Sequence, residues 1–154
     1  MFTGRSGPPG GRWGSRWGCH AASAAARDTI PSGQTVTGAI EWDSESSVSG
    51  DFRTSIALPA RAPQDLSDST VNFAADLRAD TTDDDAACTG TATAPTAPAG
   101  KVCIYLINAA ANTSGLSGRE TLDGPRSAFT VTWGHANTSG SDVFVYATWA
   151  YTAP

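Results

Sequence analysis

Apolar side chains recur at every second position in several short runs of this 154-residue chain, and this period constrains its fold most. Successive side chains of a β-strand point to opposite faces, so such alternation is typical of strands with one buried face. Gly, Ser, Asn and Pro clusters separate the runs, and no segment keeps a helical period over about 11 residues. The pattern predicts six strands: residues 34–42, 51–58, 70–78, 101–108, 127–134 and 143–151.

Two of these predicted strands are apolar on both faces. Residues 101–108 read KVCIYLIN and residues 143–151 read VFVYATWAY, so we expect both to be buried strands, with 101–108 central and covered on both sides. The last two predicted strands flank the turn-rich HANTSGSD segment and are expected to pair as an antiparallel hairpin. Short strands divided by turns predict an all-β fold, an antiparallel, jelly-roll-like β-sandwich over residues 30–154.

The first 29 residues differ from the rest in composition and in apolar pattern. They are basic, rich in Gly, Pro and Ala, and have no apolar period, which is typical of a disordered tail. A secretory signal would place an apolar stretch of about 7–15 residues after the arginines, whereas this segment has only a short Ala-rich run. Residues 1–29 are therefore interpreted as a tail or a degraded export signal.

Charge and apolar run length exclude two classes of partner. Residues 34–154 carry six basic side chains against 14 acidic ones, so the folded part would repel a phosphate backbone. No apolar run approaches the roughly 20 residues of a membrane helix. We expect neither nucleic-acid binding nor membrane insertion.

Cysteine usage indicates the compartment. Cys88 and Cys103 flank a segment rich in Thr, Ala and Pro, and a disulfide between them would pin that segment to a central strand. Free thiols are the main alternative, since no CxxC or His cluster supports a metal site. Cys19 is left over in the tail. A disulfide would place the chain in an oxidising environment, outside the cell or on its surface.

The residue types that carry catalysis are sparse. The chain has two histidines, His20 and His135, and it lacks the Gly-x-Ser-x-Gly elbow and a phosphate-binding glycine loop. We therefore predict no catalytic residues and no cofactor. Core packing is the expected role of Trp133. Trp42, Trp149 and Tyr151 are the candidates for a surface that stacks against a sugar ring.

An acidic cluster is the one candidate for a cation site. Oxygen ligands at this spacing could hold Ca²⁺, but the EF-hand pattern is not met, and a solvated loop is the favoured interpretation. No metal is therefore predicted. The cluster consists of Asp80, Asp83, Asp84 and Asp85.

Three sequence elements carry a resemblance to a known group. They are PSGQTVTGAI, CTGTATAPTAPAGKVCIY and the closing TWAYTAP. With them the chain resembles secreted modules of actinobacteria that share a Ser-Gly-x-Thr opening, a Cys…Pro-x-x-Pro-x-Gly-x-x-Cys-x-Tyr element and a final Trp strand. The resemblance covers about residues 30–154 and implies an exported module without assigned catalytic residues. A more distant analogy, on strand number and size alone, is to trimeric jelly rolls of the complement C1q and tumour necrosis factor type.

These observations favour a non-enzymatic extracellular structural or adhesive module. A carbohydrate-binding module is the first alternative, and a small secreted hydrolase is the second. The expected partners are a glycan or another surface component, and further copies of the chain, as a homotrimer if the jelly-roll analogy holds.

Overall fold

The computed structural model describes residues 28–45, 49–75, 81–122, 124–136 and 142–154. Regular structure in these ranges consists of strands, and they contain no helix long and apolar enough to cross a membrane. The predicted tail, except for Asp28 and Thr29, lies outside the described residues, as do Cys19 and His20. The strands are β1 (Thr35–Glu45), β2 (Gly50–Ala57), β3 (Val71–Phe73), β4 (Val102–Ala109), β5 (Thr113–Glu120), β6 (Ala128–His135) and β7 (Asp142–Thr152).

The strands form two sheets that pack face to face. The four-stranded sheet has the order β1-β7-β4-β3, and the three-stranded sheet has the order β2-β6-β5. All neighbouring strands run antiparallel except β3 and β4, which are parallel. The predicted all-β sandwich is thus confirmed.

Three details of the prediction are corrected. The last two strands do not form a hairpin, because β6 pairs with β2 and β5 whereas β7 pairs with β1 and β4. Within the strand predicted at 70–78, β3 covers Val71–Phe73 and ends before Ala74, while residues 76–78 lie outside the described residues. The strand β5 was missed, because its sequence TSGLSGRE has neither an apolar alternation nor a high β propensity. Its pairing with β6 makes it a strand.

The inner faces of both sheets enclose one apolar core. In β6, Phe129, Val131 and Trp133 are buried, while Thr130 and Thr132 point to the outer face. Trp133 therefore packs in the core, as predicted, and its burial contributes on the order of 2–3 kcal/mol. In β4, residues 102–106 are buried on both faces, which confirms the prediction of a covered central strand.

Aromatic rings from opposite sheets meet across this core. Trp42 of β1 contacts Trp133 of β6 edge to face, with ring centroids 4.9 Å apart. Trp149 of β7 contacts Phe129 of β6 in the same manner at 5.4 Å. The Trp149 indole fits beneath Gly38 of β1, where a β-carbon would come within 2.6 Å of the ring. The glycine in β1 therefore makes room for a core tryptophan.

The sandwich is closed on the side where the edge strands β3 and β5 meet. Gly118 of β5 approaches Val71 of β3 so closely that a β-carbon at position 118 would lie 2.5 Å from the Val71 carbonyl oxygen. The Asp83 carboxylate bridges the two strands by accepting hydrogen bonds from the N–H groups of Gly118 (2.7 Å) and Phe73 (3.4 Å). Burial raises the pKa of Asp83 above its usual value, although these hydrogen bonds partly oppose the shift.

The outward backbone of β5 is satisfied by further groups on this side. The Asp68 carboxylate accepts a hydrogen bond from the Glu120 N–H at 3.0 Å, and the Thr82 N–H donates to the Leu116 carbonyl at 3.0 Å. Together with Asp83, these groups cover alternate positions along the edge of β5. We call this side, with residues 68 and 81–85, the closed side.

Candidate functional site

A disulfide anchors the Thr/Ala/Pro-rich segment to the four-stranded sheet. Cys88 and Cys103 are bonded, with an S–S distance of 2.01 Å and a Cα–Cα distance of 5.5 Å. Cys103 lies in β4, so the bond joins the start of residues 88–100 to a central strand, which confirms the predicted disulfide. We call residues 88–100 the clamped loop. Closing a loop of this length removes roughly 3 kcal/mol of chain entropy from the unfolded state.

Hydroxyl groups of the sheet hold the clamped loop against its outer face. The Tyr105 hydroxyl donates to the Thr96 carbonyl at 2.6 Å and accepts from the Gly90 N–H at 2.9 Å. Tyr105 is buried beneath the loop, next to the disulfide. The hydroxyl groups of Thr148 and Thr152, both on β7, donate to carbonyl groups of the loop at 2.8 and 2.7 Å. The loop therefore covers part of this face, and four hydrogen bonds anchor its backbone to the sheet.

An ion pair joins the residues that precede and follow the clamped loop. Lys101, the one lysine of the chain, contacts the Asp85 carboxylate, and the Ala87 N–H also donates to Asp85 at 2.8 Å. The hydrogen bond from Lys101 lowers the pKa of Asp85 below its usual value, and the Ala87 N–H adds to the effect. Both side chains are partly exposed, so the contribution of the pair to stability is small.

Beyond the loop, this outer face carries two half-buried aromatic rings. Phe144 and Tyr146 of β7 stack on each other with centroids 5.1 Å apart and an interplanar angle of 20°. The Tyr146 hydroxyl donates to Asp43 of β1 at 3.1 Å, and Asn108 of β4 is the cross-strand neighbour of Tyr146. Ile107 sits at a bulge in β4 and is 48% exposed. We call these five residues the open aromatic patch.

The Asp43 carboxylate changes the acidity of this patch. Its hydrogen bond with the Tyr146 hydroxyl raises the pKa of the tyrosine above its usual value, and the nearby acidic side chains act in the same direction. The phenol is therefore a neutral hydrogen-bond donor at physiological pH. The patch thus combines apolar ring surface with carboxylate and amide groups, the side-chain types that contact sugars and other polar polymers.

The outer face of the three-stranded sheet is polar. Two shallow grooves of about 730 and 620 Å³ share Arg53, Arg119 and Thr132 as lining residues. Hydroxyl groups of Ser55 and Thr130 on neighbouring strands continue the surface of the second groove. Arg119 is paired with Asp68, so part of the positive charge is neutralised within the protein. This face offers hydrogen-bonding groups, and the two rings that line its first groove, Phe52 and Trp133, pack against the core.

The residues predicted to form a stacking platform lie in or against the core. Trp149 and Tyr151 are 3% and 1% exposed, so neither presents a ring face to solvent. Trp42 is half-buried and packs between Phe52 and Trp133. All three side chains point to the inner face because they continue the apolar alternation of β1 and β7. The sequence analysis did not single out Phe144 and Tyr146. They occupy the alternate, less buried positions of VFVYATWAY.

The acidic cluster does not converge on one point. Asp80 lies outside the described residues, and Asp83, Asp84 and Asp85 bond to different protein groups. Asp83 contacts β3 and β5, Asp84 contacts Thr81, and Asp85 contacts Lys101. Within the ranges that the structure describes, no group of three or more His, Cys, Asp and Glu side chains is placed to hold a metal ion.

His135 ends β6 and faces the core. It is 4% exposed, and neither ring nitrogen has a hydrogen-bond partner in the described part of the chain. Among the described residues, its ring meets that of Phe52 edge to face, with centroids 6.3 Å apart. A general base is normally oriented by a hydrogen bond to its second nitrogen, and His135 has none from the described residues. The geometry therefore gives the hydrolase alternative no support.

Comparisons with protein-family models, curated proteins and solved structures give no match.

Proposed function

We propose that this chain is a non-enzymatic extracellular module of structural or adhesive type, which makes its contacts through the open aromatic patch. The observation that carries the proposal is the division of one sheet face into a disulfide-clamped part and an open part. Disulfides persist in oxidising compartments, and a clamped face is a rigid support for surface contacts.

The patch supports adhesion because its rings are held in place before any contact forms. Phe144 and Tyr146 stack on each other, and Asp43 fixes the Tyr146 hydroxyl. Little side-chain entropy is lost when such residues bind, which makes aromatic anchors efficient in interfaces. Two rings, Phe52 and Trp133, line one groove of the other sheet, but both pack in the aromatic cluster of the core.

The compartment can be tested on the chain made by its own cells. Surface proteolysis of intact cells, with mass analysis of the recovered peptides without reductant, should yield the Cys88–Cys103 cross-linked pair. Recovery of the chain from the cell interior with both thiols reduced would contradict an extracellular role.

Adhesion can be tested with the insoluble wall polysaccharide of the same cells as the probe. We expect the oxidised full chain to be retained on it, and the double variant Phe144→Ser/Tyr146→Ser to lose at least about tenfold in retention, because removal of two anchors costs more than about 1.4 kcal/mol. The control is Thr130→Ala/Thr132→Ala on the opposite face, which should bind like the wild type. Equal retention of all three proteins would overturn the role of the patch.

Carbohydrate binding is the second candidate, and the neighbours of the rings favour it. Asp43 and Asn108 place a carboxylate and an amide beside Tyr146, which is a suitable set for sugar hydroxyl groups. An array of defined neutral and acidic oligosaccharides separates the candidates. Selective binding to one sugar type that Asp43→Ala abolishes indicates a lectin-like site, whereas retention on the wall material without binding to the array indicates general adhesion.

A further inference from the structure

The strand β1 forms an edge of the four-stranded sheet, and its outer side has no neighbouring strand in the described part of the chain. The Ala153 N–H donates to the Gln34 carbonyl at 3.0 Å, so the even-numbered positions that follow bond to β7. The odd-numbered residues therefore turn their N–H and C=O groups away from the sheet. No described residue forms a backbone hydrogen bond with these outward groups. The row consists of Thr35, Thr37, Ala39, Glu41 and Asp43.

The neighbouring edge strand β2 leaves apolar surface on the same side. Trp42 of β1 contacts Phe52 of β2 with centroids 5.4 Å apart, so the two unpaired edges lie next to each other. Val36 and Trp42 on β1, with Phe52 and Ile56 on β2, are only partly buried against the core. We call this side of the sandwich the open side. It offers both unpaired backbone and apolar side chains to a partner.

The sequence of β1 carries acidic side chains but lacks the other features that usually protect an edge strand. TVTGAIEWDSE contains no Pro, Lys or Arg, and its register with β7 continues through 11 positions without a bulge. A long and regular edge of this kind accepts another strand readily.

The charges of β1 favour antiparallel over parallel pairing with a second copy of the same strand. The threonines lie in the first half of β1 and the acids in the second half, so antiparallel self-pairing places threonine opposite acid. Thr37 faces Asp43 when the twofold axis passes through Ile40, and it faces Glu41 when the axis passes through Ala39. Parallel pairing would instead align like charges, which is unfavourable.

We propose that two copies of this chain associate through antiparallel pairing of β1 with β1, which joins their four-stranded sheets into one continuous sheet. The twofold arrangement buries the partly exposed side chains of the open side and satisfies the outward backbone row. This interface shares Asp43 with the open aromatic patch, but it is argued from the unpaired edge of β1 and does not depend on the proposed adhesive function.

The first test measures assembly and backbone protection of the full oxidised chain. Light scattering after size exclusion should give twice the monomer mass at high protein concentration. Amide exchange at positions 35, 37, 39, 41 and 43 should slow at least about tenfold as the dimer forms, whereas the even-numbered amides stay protected throughout. A monomer up to millimolar concentration, a trimer, or odd-numbered amides that are protected independently of concentration would each overturn the proposal.

The second test uses charge at position 37. Thr37→Glu places an acid opposite an acid in either register, and Thr37→Lys places a cation there, so the dimer Kd should rise in the first variant and fall in the second. Each change is expected to be roughly two- to thirtyfold, since the pair occurs twice in the dimer. Ser114→Glu and Ser114→Lys, at an exposed position of β5, are the matched controls and should leave the Kd unchanged.

A third variant removes one outward donor without removing a bond to β7. Ala39→Pro deletes an N–H that faces the partner, and proline is tolerated on the free side of an edge strand. We expect it to abolish the dimer at concentrations that saturate the wild type. If this variant does not fold, the two Thr37 variants decide, and a Kd that moves in the same direction in both contradicts the pairing.

Discussion

The edge strands on the two sides of the sandwich differ in how their outward backbone groups are hydrogen-bonded. On the closed side, Asp68, Thr82 and Asp83 bond to the outward backbone of β5, and Asp83 also reaches β3. On the open side, β1 and β2 have no such groups among the described residues. The difference shows that this chain can satisfy an edge with local side chains, and that the described residues do so on one side only. We therefore expect substitutions on the closed side to affect folding and those on the open side to affect association.

The largest expected effect comes from the disulfide between Cys88 and Cys103, which follows residues 81–85 of the closed side. Replacing both Cys88 and Cys103 by Ala should lower the free energy of unfolding by about 3 kcal/mol, because the unfolded chain regains its loop entropy. This corresponds to a fall in Tm of roughly 6–12 °C. Thermal and urea unfolding without reductant measure it, with Cys19→Ser as the control that should not change stability. A loss below about 1 kcal/mol would show that the clamp is not needed for stability.

A pair of glycine substitutions compares the two sides directly. Gly118→Ala on the closed side puts a methyl group against the Val71 backbone, which cannot move aside, and should cost about 2 kcal/mol. Gly50→Ala begins β2 on the open side, where a β-carbon meets no atom within 4 Å. Its effect should stay within about 0.5 kcal/mol. Equal effects in urea unfolding would contradict the assignment of the closed side as the tightly packed one.

The carboxylates of Asp83 and Asp85 should respond to pH in opposite directions. The folded-state pKa of Asp83 is raised by burial, so its contribution to stability is present below its unfolded-state pKa and is lost as pH rises through the folded-state value. The folded-state pKa of Asp85 is lowered by Lys101, so its contribution is present above its unfolded-state pKa and is lost as pH falls.

Unfolding of the wild type, Asp83→Asn and Asp85→Asn between pH 3 and 7 measures these contributions. The stability of the wild type relative to Asp83→Asn should grow as pH falls from neutral, and its stability relative to Asp85→Asn should shrink. At neutral pH, Asp83→Asn weakens the hydrogen bonds to the strand backbone and also relieves a buried charge, so these two effects on stability oppose each other. Two difference curves with the same slope would refute the assigned directions.

The sequence predicted the parts of the fold that local pattern determines. Alternation in β2, β6 and β7 reports one buried face, and it identified the strands and the core role of Trp133. It could not reveal β5, because a segment of Ser and Gly becomes a strand only when it pairs with β6. The hairpin between the last two strands was wrong because sequence proximity does not determine which sheet a strand joins.

The candidate site was harder to predict than the fold. The disulfide followed from the spacing and composition around Cys88 and Cys103. Two of the candidate stacking residues, Trp149 and Tyr151, share the phase of the buried alternation in β7 and lie in the core. Which set of alternating side chains faces solvent depends on which face of the sheet packs against the other sheet, and that is a property of the tertiary fold.

The smallest expected effect concerns Asp68, an exposed residue among the groups that close β5. Its ion pair with Arg119 spans 3.3 Å between side chains that are more than half exposed, and solvent screens such pairs. The bond to the Glu120 N–H is the more directional contact. Asp68→Ala should therefore lower the free energy of unfolding by about 0.5–1 kcal/mol, and Arg119→Ala by less. A double-mutant cycle in urea separates the ion pair from the backbone bond, and a coupling energy above about 1 kcal/mol would mean that the closed side also depends on surface charge.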